Sequence, residues 1–266
     1  MSDPRSRAEE LRRLHEAPEL LVLVNVWDAA SARTVAAAPG CRAIATASWS
    51  IAAAHGVADG DLPRAAMLAA VARIAAAVEL PVTADLEDGY GEDAATVGLT
   101  VAGAIEAGAV GCNLEDGTAD AAAPLRPAAE HAERVAAARA AGDGLGVPLV
   151  INARTDVFLA AAGPPEQRVE AALERGRAYR AAGADCVFVP GVTDAGEIER
   201  LVAEMGAPVS LLATPASPPL AQLERLGVAR VSFGPGPLGV AMAALRGAAE
   251  TLLAAGALPA ELAHRP

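Results

Sequence analysis

Residues 81–115, PVTADLEDGYGEDAATVGLTVAGAIEAGAVGCNLE, contain the pattern that decides the fold. The stretch opens with an apolar run that ends in acids, PVTADLE (81–87), and continues with an Ala-rich helical segment from Asp93 to Ala107. A second apolar run, VGCNLE (110–115), then begins. Short apolar runs separated by helices are typical of parallel strands joined by helical crossovers. The stretch therefore predicts an α/β fold.

The same alternation extends along the chain in both directions. It predicts eight strands, at 21–27, 42–46, 81–87, 110–115, 148–154, 185–190, 208–213 and 229–234. The helices between and after them begin near Ser31 or cover 63–78, 93–107, 127–141, 165–182, 194–205, 218–226 and 238–255. Eight such units are the number that closes a (β/α)8 barrel.

We therefore predict a single (β/α)8 TIM barrel domain over residues 1–266, with an N-terminal helical extension (1–20) and a short C-terminal tail (257–266). A doubly wound open sheet is the competing architecture. Its common dinucleotide signature, GxGxxG after the first strand, is absent, because residues 25–32 read NVWDAASA.

Composition excludes several classes of function. The net charge of -12 disfavours nucleic acid and anionic membranes as partners. The chain has no lysine, so a lysine Schiff base is impossible. Three cysteines without a CxxC pair disfavour a disulfide framework or a structural zinc site. No apolar stretch reaches membrane-spanning length and the first 20 residues are polar, so we expect a cytoplasmic protein.

Polar side chains concentrate where the first five predicted strands end, which is the end that carries the chemistry in a barrel. Side chains alternate along a strand, so Asp85 and Glu87 share one face, and Asn113 shares another with Glu115. Three carboxylates converging at the barrel mouth repel one another, and a hard divalent cation relieves that repulsion. Oxygen ligands favour Mg²⁺ or Mn²⁺. The alternative is that such acids are solvated loop residues or helix caps, which we prefer for Asp88, Asp93 and Asp116.

Arg154 follows the fifth predicted strand, on the face of Asn152 and Asp156. Its planar guanidinium suits a substrate carboxylate or phosphonate. An internal ion pair with Glu87, Glu115 or Asp156 is the alternative, and the two interpretations are compatible.

The long loop at 48–63 contributes three further candidates. In this loop, Ser48 offers a hydroxyl and an amide to a ligand carboxylate, Asp59 can complete a metal's outer shell, and His55 favours a surface position. We interpret the remaining histidines as solvated: His15, His131 and His264.

Five ordered blocks carry a resemblance to a known family: NVWDAASA, AIATASWSIAAAHGVADGD, PVTADLEDGYG, GCNLEDG and INARTDVFL. Together they resemble the isocitrate lyase/phosphoenolpyruvate mutase superfamily, and look most similar to its small phosphonomutase-like bacterial members. The resemblance implies a Mg²⁺-dependent barrel that breaks or forms C–C or C–P bonds beside an oxyanion. It implies that the ion stabilises an enolate, while Arg154 and nearby amides neutralise the remaining charge.

The candidate site residues follow from the strand ends and from this resemblance. The metal acids carry over onto Asp59, Asp85, Glu87 and Glu115, some of them acting through water. The catalytic candidates are Arg154, Glu115 and His55, with His55 dependent on a loop movement. The substrate-binding candidates are Trp27, Ala47, Ser48, Asn113, Asn152 and Arg154, of which Ala47 and Ser48 form the family's carboxylate-binding turn.

One segment departs from the family pattern. The lyases carry a Lys-Lys-Cys-Gly-type loop after the fourth strand and the mutase has Lys and Asn there, whereas residues 115–127 read EDGTADAAAPLRP. The usual proton donor is therefore missing.

Three hypotheses remain open. The first is a Mg²⁺-dependent lyase cleaving a C–C bond of a small 2-oxo or 2-hydroxy dicarboxylate. The second is a C–P enzyme, either a phosphonomutase or a phosphonopyruvate hydrolase. The third is a catalytically attenuated protein that binds metal and carboxylate. Each takes a small carboxylate partner, and we expect a homo-oligomer.

Overall fold

The computed structural model describes residues 3–254 and residue 258, and its centre is a nine-stranded parallel sheet that closes almost completely into a barrel. The strands are β1 (Leu21–Leu23), β2 (Asn25–Val26), β3 (Ile44–Thr46), β4 (Val82–Asp85), β5 (Gly111–Glu115), β6 (Val150–Arg154), β7 (Cys186–Phe188), β8 (Val209–Leu212) and β9 (Arg230–Ser232). The first predicted strand is split at Val24: β1 pairs with β9 and β2 pairs with β3. This split joins the two ends of the sheet, and the predicted α/β barrel is confirmed.

Helices surround the sheet. They are α1 (Pro4–Glu16), α2 (Ala29–Ala36), α3 (Ser48–Ala54), α4 (Arg64–Ala76), α5 (Ala94–Glu106), α6 (Ala128–Gly144), α7 (Arg168–Ala181), α8 (Ala195–Glu204), α9 (Leu220–Arg225) and α10 (Gly236–Leu253), with a 3-10 turn at Pro165–Gln167 before α7. Asp93 caps α5 by accepting a hydrogen bond from the Thr96 amide, as predicted for this acid. The helix α3 was not predicted, because it lies inside the loop expected at 48–63.

The N-terminal extension closes the lower end of the barrel. Leu11 of α1 is fully buried, and a Cβ atom at Gly111 would lie 2.7 Å from Leu11 Cδ2. Glycine at this position therefore allows the helix to pack against the strand ends. The predicted C-terminal tail (257–266) lies outside the described residues except for Leu258.

Arg230 occupies the barrel interior, with 1% of its surface exposed. Its Nη2 donates to Asn113 Oδ1 at 3.2 Å, and its Nη1 lies 3.4 Å from His15 Nε2. Burial, together with the charge of Arg230, lowers the pKa of His15 to about 3, so this imidazole is neutral. The expectation that His15 and His131 are solvated is wrong, since they are 2% and 0% exposed; His264 lies outside the described residues.

The outer surface has one conspicuous apolar element. The last helix, α10, buries only Leu238, while Val240 is 73% exposed and Leu245 is 61% exposed. Within residues 3–254 and 258, none of the helices combines the length and apolar content of a membrane span.

Candidate active site

The carboxyl ends of the strands place the predicted polar residues side by side. Strand register pairs Asp85 with Asn113, Asn113 with Asn152, and Glu115 with Arg154. Three of these residues, Asp85, Asn113 and Arg154, border a cavity of about 250 Å³. The cavity is lined by Asn25, Ala47, Ser48, Trp49, Asp59, Asp85, Asn113, Arg154, Leu159, Phe188, Pro190, Leu212, Ser232, Gly234 and Pro235. Asp85, Asn113 and Arg154 thus meet at the barrel mouth, whereas the convergence predicted from the sequence was that of Asp85, Glu87 and Glu115.

Asp85 is the most constrained carboxylate of this cavity. Its Oδ2 accepts hydrogen bonds from Ser48 N at 3.0 Å and Ser48 Oγ at 2.9 Å, and its amide donates to Thr46 Oγ1. Its Oδ1 is buried and has no hydrogen-bond partner in the described part of the chain. A buried carboxylate oxygen without a donor is costly, so Oδ1 is a free ligand position.

The turn after β4 holds Glu87 in an uncommon conformation. Glu87 and Tyr90 have φ angles of 52° and 58°, which few residues other than glycine adopt. A Cβ atom at Gly89 would lie 2.8 Å from Val97, so the turn also needs glycine. Tyr90 Oη donates to Glu87 Oε1 at 2.7 Å. Backbone strain of this kind occurs at functional sites, and here it fixes the position of a carboxylate.

Arg154 lies between two acids. Its Nη1 is 2.6 Å from Glu115 Oε2, its Nε is 2.6 Å from Asp156 Oδ1, and its Nη2 is 3.0 Å from Asp156 Oδ2. Burial disfavours the charged guanidinium, but Glu115 and Asp156 outweigh that effect, so the pKa of Arg154 lies above its usual value. The alternative of an internal ion pair is confirmed for these two partners, and Arg154 still faces the cavity.

Burial and mutual repulsion raise the pKa values of three of these acids. Burial, and then the charge of Asp85, raises the pKa of Asp59. Burial is also the main cause that raises the pKa of Glu87 to about 7, with Asp85 and Asp59 contributing. Burial raises the pKa of Glu115, against the opposing effect of Arg154. The four predicted metal acids therefore share one electrostatic environment.

Their positions are more spread than one compact ligand cluster. Asp59 and Asp85 line the 250 Å³ cavity, whereas Glu87 and Glu115 line an adjoining cavity of about 380 Å³. Among the residues that the structure describes, no group of three or more His, Cys, Asp or Glu side chains is arranged to hold a metal ion.

A hard dication nevertheless fits this set of residues. Mg²⁺ commonly keeps several waters and takes only one or two protein carboxylates. The unpartnered Oδ1 of Asp85 supplies one such ligand, and the neighbouring acids with raised pKa values can act through water. Positive charge at this position would offset the burial and the mutual repulsion that together raise those values.

The predicted substrate residues lie in three places. Asn113 and Ser48 line the cavity, as does Ala47, whose amide donates to Val26 O. Asn152 is fully buried beneath it and donates from Nδ2 to Asn113 Oδ1 at 2.8 Å, so it acts on the cavity only through Asn113. The side chain of Trp27 lines a different pocket beside α2 and α10.

His55 lies away from both cavities. It follows α3, its side chain is exposed, and its Nδ1 lies 2.9 Å from Ile51 O of its own helix. The loop after β5 forms a small hairpin in which Gly117 bridges Leu125, and it contributes Thr118, Ala119 and Pro124 to the larger cavity. A proton-transfer role for His55 thus requires the loop movement and stays a prediction.

Sequence reasoning did not name four of the apolar side chains that line the cavity. Trp49, Leu159, Phe188 and Leu212 line it together with the charged residues. The guanidinium carbon of Arg154 lies 5.8 Å from the centre of the Phe188 ring. The alternation of side chains along the seventh and eighth strands could have identified Phe188 and Leu212. No local signal marked Trp49 or Leu159, which lie in loop regions of the sequence.

The chain matches known proteins along most of its length. Residues 11–253 match the family model described as phosphoenolpyruvate phosphomutase. A protein of Burkholderia cenocepacia J2315, provisionally assigned as a phosphonomutase, has 46% identity and a TM-score of 0.89, covering 96% of this chain and 100% of that one.

Two further relatives have more specific descriptions. The 2-methylisocitrate lyase of Escherichia coli K12 is 33% identical over 189 residues, which are 69% of this chain and 62% of that enzyme. A phosphonopyruvate hydrolase solved with oxalate and Mg²⁺ has 26% identity and a TM-score of 0.85, covering 98% and 92% of the two chains. The family match and these relatives agree with the barrel fold, and the chain belongs to the isocitrate lyase/phosphoenolpyruvate mutase superfamily.

Proposed function

We propose that the protein is a Mg²⁺-dependent lyase that cleaves a C–C bond in a small 2-oxo or 2-hydroxy dicarboxylate. One observation carries the proposal: the same cavity contains Asp85, whose Oδ1 has no hydrogen-bond partner, and Arg154, whose guanidinium is ion-paired with two acids. A cation site and a fixed guanidinium in the same cavity suit a ligand with adjacent oxyanions.

Each residue has a stated role in this proposal. Asp85 holds the ion, and Asp59, Glu87 and Glu115 contribute charge around it. Arg154 and Asn113 orient the substrate's oxygens, and the Ser48 hydroxyl positions Asp85. When bound, Mg²⁺ supplies Lewis-acid stabilisation of the negative charge that develops on the substrate's 2-oxygen. The apolar side chains of Trp49, Phe188 and Leu212 contact the carbon substituent of the substrate.

The proton that returns to the released fragment comes from solvent in this proposal. The loop after β5 contains neither lysine nor cysteine, and His55 lines neither cavity. Both cavities open to solvent at the barrel mouth, so water has direct access to the reacting carbon.

The experiment is a turnover panel with purified protein and Mg²⁺. Oxaloacetate and alkylmalates are incubated with the protein, and release of pyruvate, glyoxylate or oxalate is followed by mass spectrometry. The proposal predicts release that EDTA abolishes and added Mg²⁺ restores. An Arg200→Gln variant, which changes an exposed arginine of α8, is the control and should retain turnover. Absence of release across the panel contradicts the lyase proposal.

A C–P enzyme is the second candidate. It is favoured by the 46% identity to the Burkholderia protein provisionally assigned as a phosphonomutase. It comes second because a phosphonate would add negative charge beside Asp59 and Asp85. Among the described lining residues, Arg154 is the only basic side chain that could balance that charge. The test is ³¹P NMR with phosphonopyruvate and Mg²⁺, in which loss of the phosphonate resonance would establish this activity.

A binding protein without turnover is the third candidate, and the missing Lys/Cys loop favours it. It predicts thermal stabilisation by Mg²⁺ and oxalate without release of any product from the panel.

We also propose a homo-oligomer that covers α10. A helix that exposes Val240, Met242 and Leu245 presents more apolar surface than single chains usually leave in water. Analytical ultracentrifugation tests this, and a monomeric protein would contradict it.

A further inference from the structure

We propose that Asp116 is a positioning residue that orients Arg154 through Asp156 from outside the cavities. The proposal deepens, and therefore rests on, the proposed function, in which Arg154 binds the substrate's oxyanion. Asp116 was expected to be a solvated loop acid or a cap, and that expectation is wrong, because its side chain is fully buried. It follows Glu115 directly but lines neither cavity.

Both carboxylate oxygens of Asp116 accept hydrogen bonds. Oδ1 accepts the backbone N–H of Asp156 at 2.9 Å. Oδ2 accepts the Tyr179 hydroxyl at 2.6 Å and Arg175 Nη1 at 2.9 Å. Both donors belong to α7, so the carboxylate connects that helix to the end of β6. A buried carboxylate that accepts from three donors, one of them a cation, has a single defined orientation.

This orientation is passed on to Arg154. The Asp116 amide donates to Arg154 O at 3.2 Å, while its side chain fixes the amide of Asp156. The Asp156 carboxylate in turn makes the two-pronged contact with the guanidinium. A Cβ atom at position 117 would lie 2.8 Å from Asp156 Oδ2, so Gly117 closes the other side of that carboxylate. Asp116 therefore holds the backbone from which the Asp156 carboxylate reaches the Arg154 guanidinium in this two-pronged contact, the fork.

Substitution by asparagine removes this arrangement with little change in shape. The amide NH₂ must face either the Asp156 N–H or the donors from Tyr179 and Arg175, so one donor always meets another donor. Tyr179→Phe is the gentler variant, because it removes one donor and leaves the contact between Asp116 and Asp156 in place.

A purely structural role for Asp116 makes a different prediction from a positioning role. If Asp116 only stabilises the fold, its replacement changes ligand affinity equally with or without Arg154. If it acts through Arg154, its effect disappears once Arg154 is replaced. A double-mutant cycle separates the two cases.

The experiment measures the dissociation constant of oxalate by calorimetry at saturating Mg²⁺ for wild type, Asp116→Asn, Arg154→Gln and the double variant. Asp116→Asn should weaken oxalate binding by about tenfold, and the double variant should lie within about twofold of Arg154→Gln. Tyr179→Phe should weaken binding less, and Asp194→Asn, an exposed cap of α8, should not change it. The proposal is overturned if the effects of the two substitutions on the dissociation constant multiply in the double variant, or if Asp116→Asn binds oxalate as tightly as wild type.

A crystal structure of Asp116→Asn decides the question without any ligand. The distance from Arg154 Nε to Asp156 Oδ1, now 2.6 Å, should exceed hydrogen-bonding range; an intact fork overturns the proposal. If wild type does not bind oxalate, the proposed function fails while this measurement still tests the positioning role. If Asp116→Asn does not fold, the same structure and affinity are measured for Tyr179→Phe, where unchanged oxalate affinity overturns the proposal.

Discussion

Replacing Arg154 with methionine tests the electrostatic design of the barrel mouth. The substitution keeps an apolar stem and removes the charge, which leaves the carboxylates of Glu115 and Asp156 facing each other without a cation. The side chains of Arg154, Glu115 and Asp156 are 17%, 22% and 9% exposed. Removing one partner from a buried ion pair costs about 3–5 kcal/mol. Their partial exposure places the expected loss of unfolding free energy at the lower limit, about 3 kcal/mol.

The loss should depend on pH, with a defined sign. Burial already raises the folded-state pKa of Glu115, and without the cation that pKa rises further. A carboxyl whose folded pKa exceeds its unfolded pKa binds more protons when folded, so the variant gains stability as the pH falls. The pKa of Glu115 in the wild type is already about 8, so the deficit of the variant relative to wild type should be larger near pH 9 than near pH 6.

Urea unfolding followed by circular dichroism at both pH values measures this deficit. Arg200→Met is a matched control, because Arg200 also contacts two acids, Glu170 and Glu204, but its side chain is 48% exposed. Exposed pairs contribute about 0–1 kcal/mol. The reasoning is refuted if Arg154→Met loses no more stability than Arg200→Met, or if its loss is the same at both pH values.

Three other outcomes are expected. Burial lowers the pKa of His131 to about 4, so the wild type loses stability as the pH falls below the unfolded-state pKa of about 6.5. Between pH 8 and pH 5, urea unfolding should therefore show the His131→Phe variant gaining about 2 kcal/mol of unfolding free energy relative to wild type. Equal pH dependence of the two proteins would contradict this. Asp85→Asn should weaken Mg²⁺ binding by at least about tenfold in calorimetry, and equal affinity would contradict its role as a ligand. Val240→Glu combined with Leu245→Glu should lower the sedimentation mass if α10 is covered in an oligomer; an unchanged oligomer would place the interface elsewhere.

The sequence predicted the barrel and the faces of its strands because both depend on local periodicity. Apolar runs that end in polar residues marked the strands. The sequence offered Glu115 as one of three possible partners of Arg154, and the strand register pairs these two residues. The split at Val24 was not predictable, because β1 and β2 form one continuous apolar run and separate only where they pair with different strands.

Residues whose surroundings come from distant segments were the ones misjudged. Asp116 sits in a polar loop sequence, but its partner Tyr179 lies 63 positions later in the chain. His131 appeared to be an ordinary helix residue, yet its ring packs edge-on against the Tyr179 ring with centres 4.6 Å apart. Trp27 was named because it follows a predicted strand, but it lines a different pocket, whereas Trp49 of α3 lines the cavity. Local pattern carries no information about such contacts.

The central claim is that acids at the barrel mouth bind a hard dication together with an organic acid. Isothermal titration of Mg²⁺ into the protein, without and with oxalate, tests it most directly. The account predicts one Mg²⁺ per chain and tighter binding when oxalate is present. Absence of Mg²⁺ binding under both conditions, with the protein shown to be folded, would contradict it.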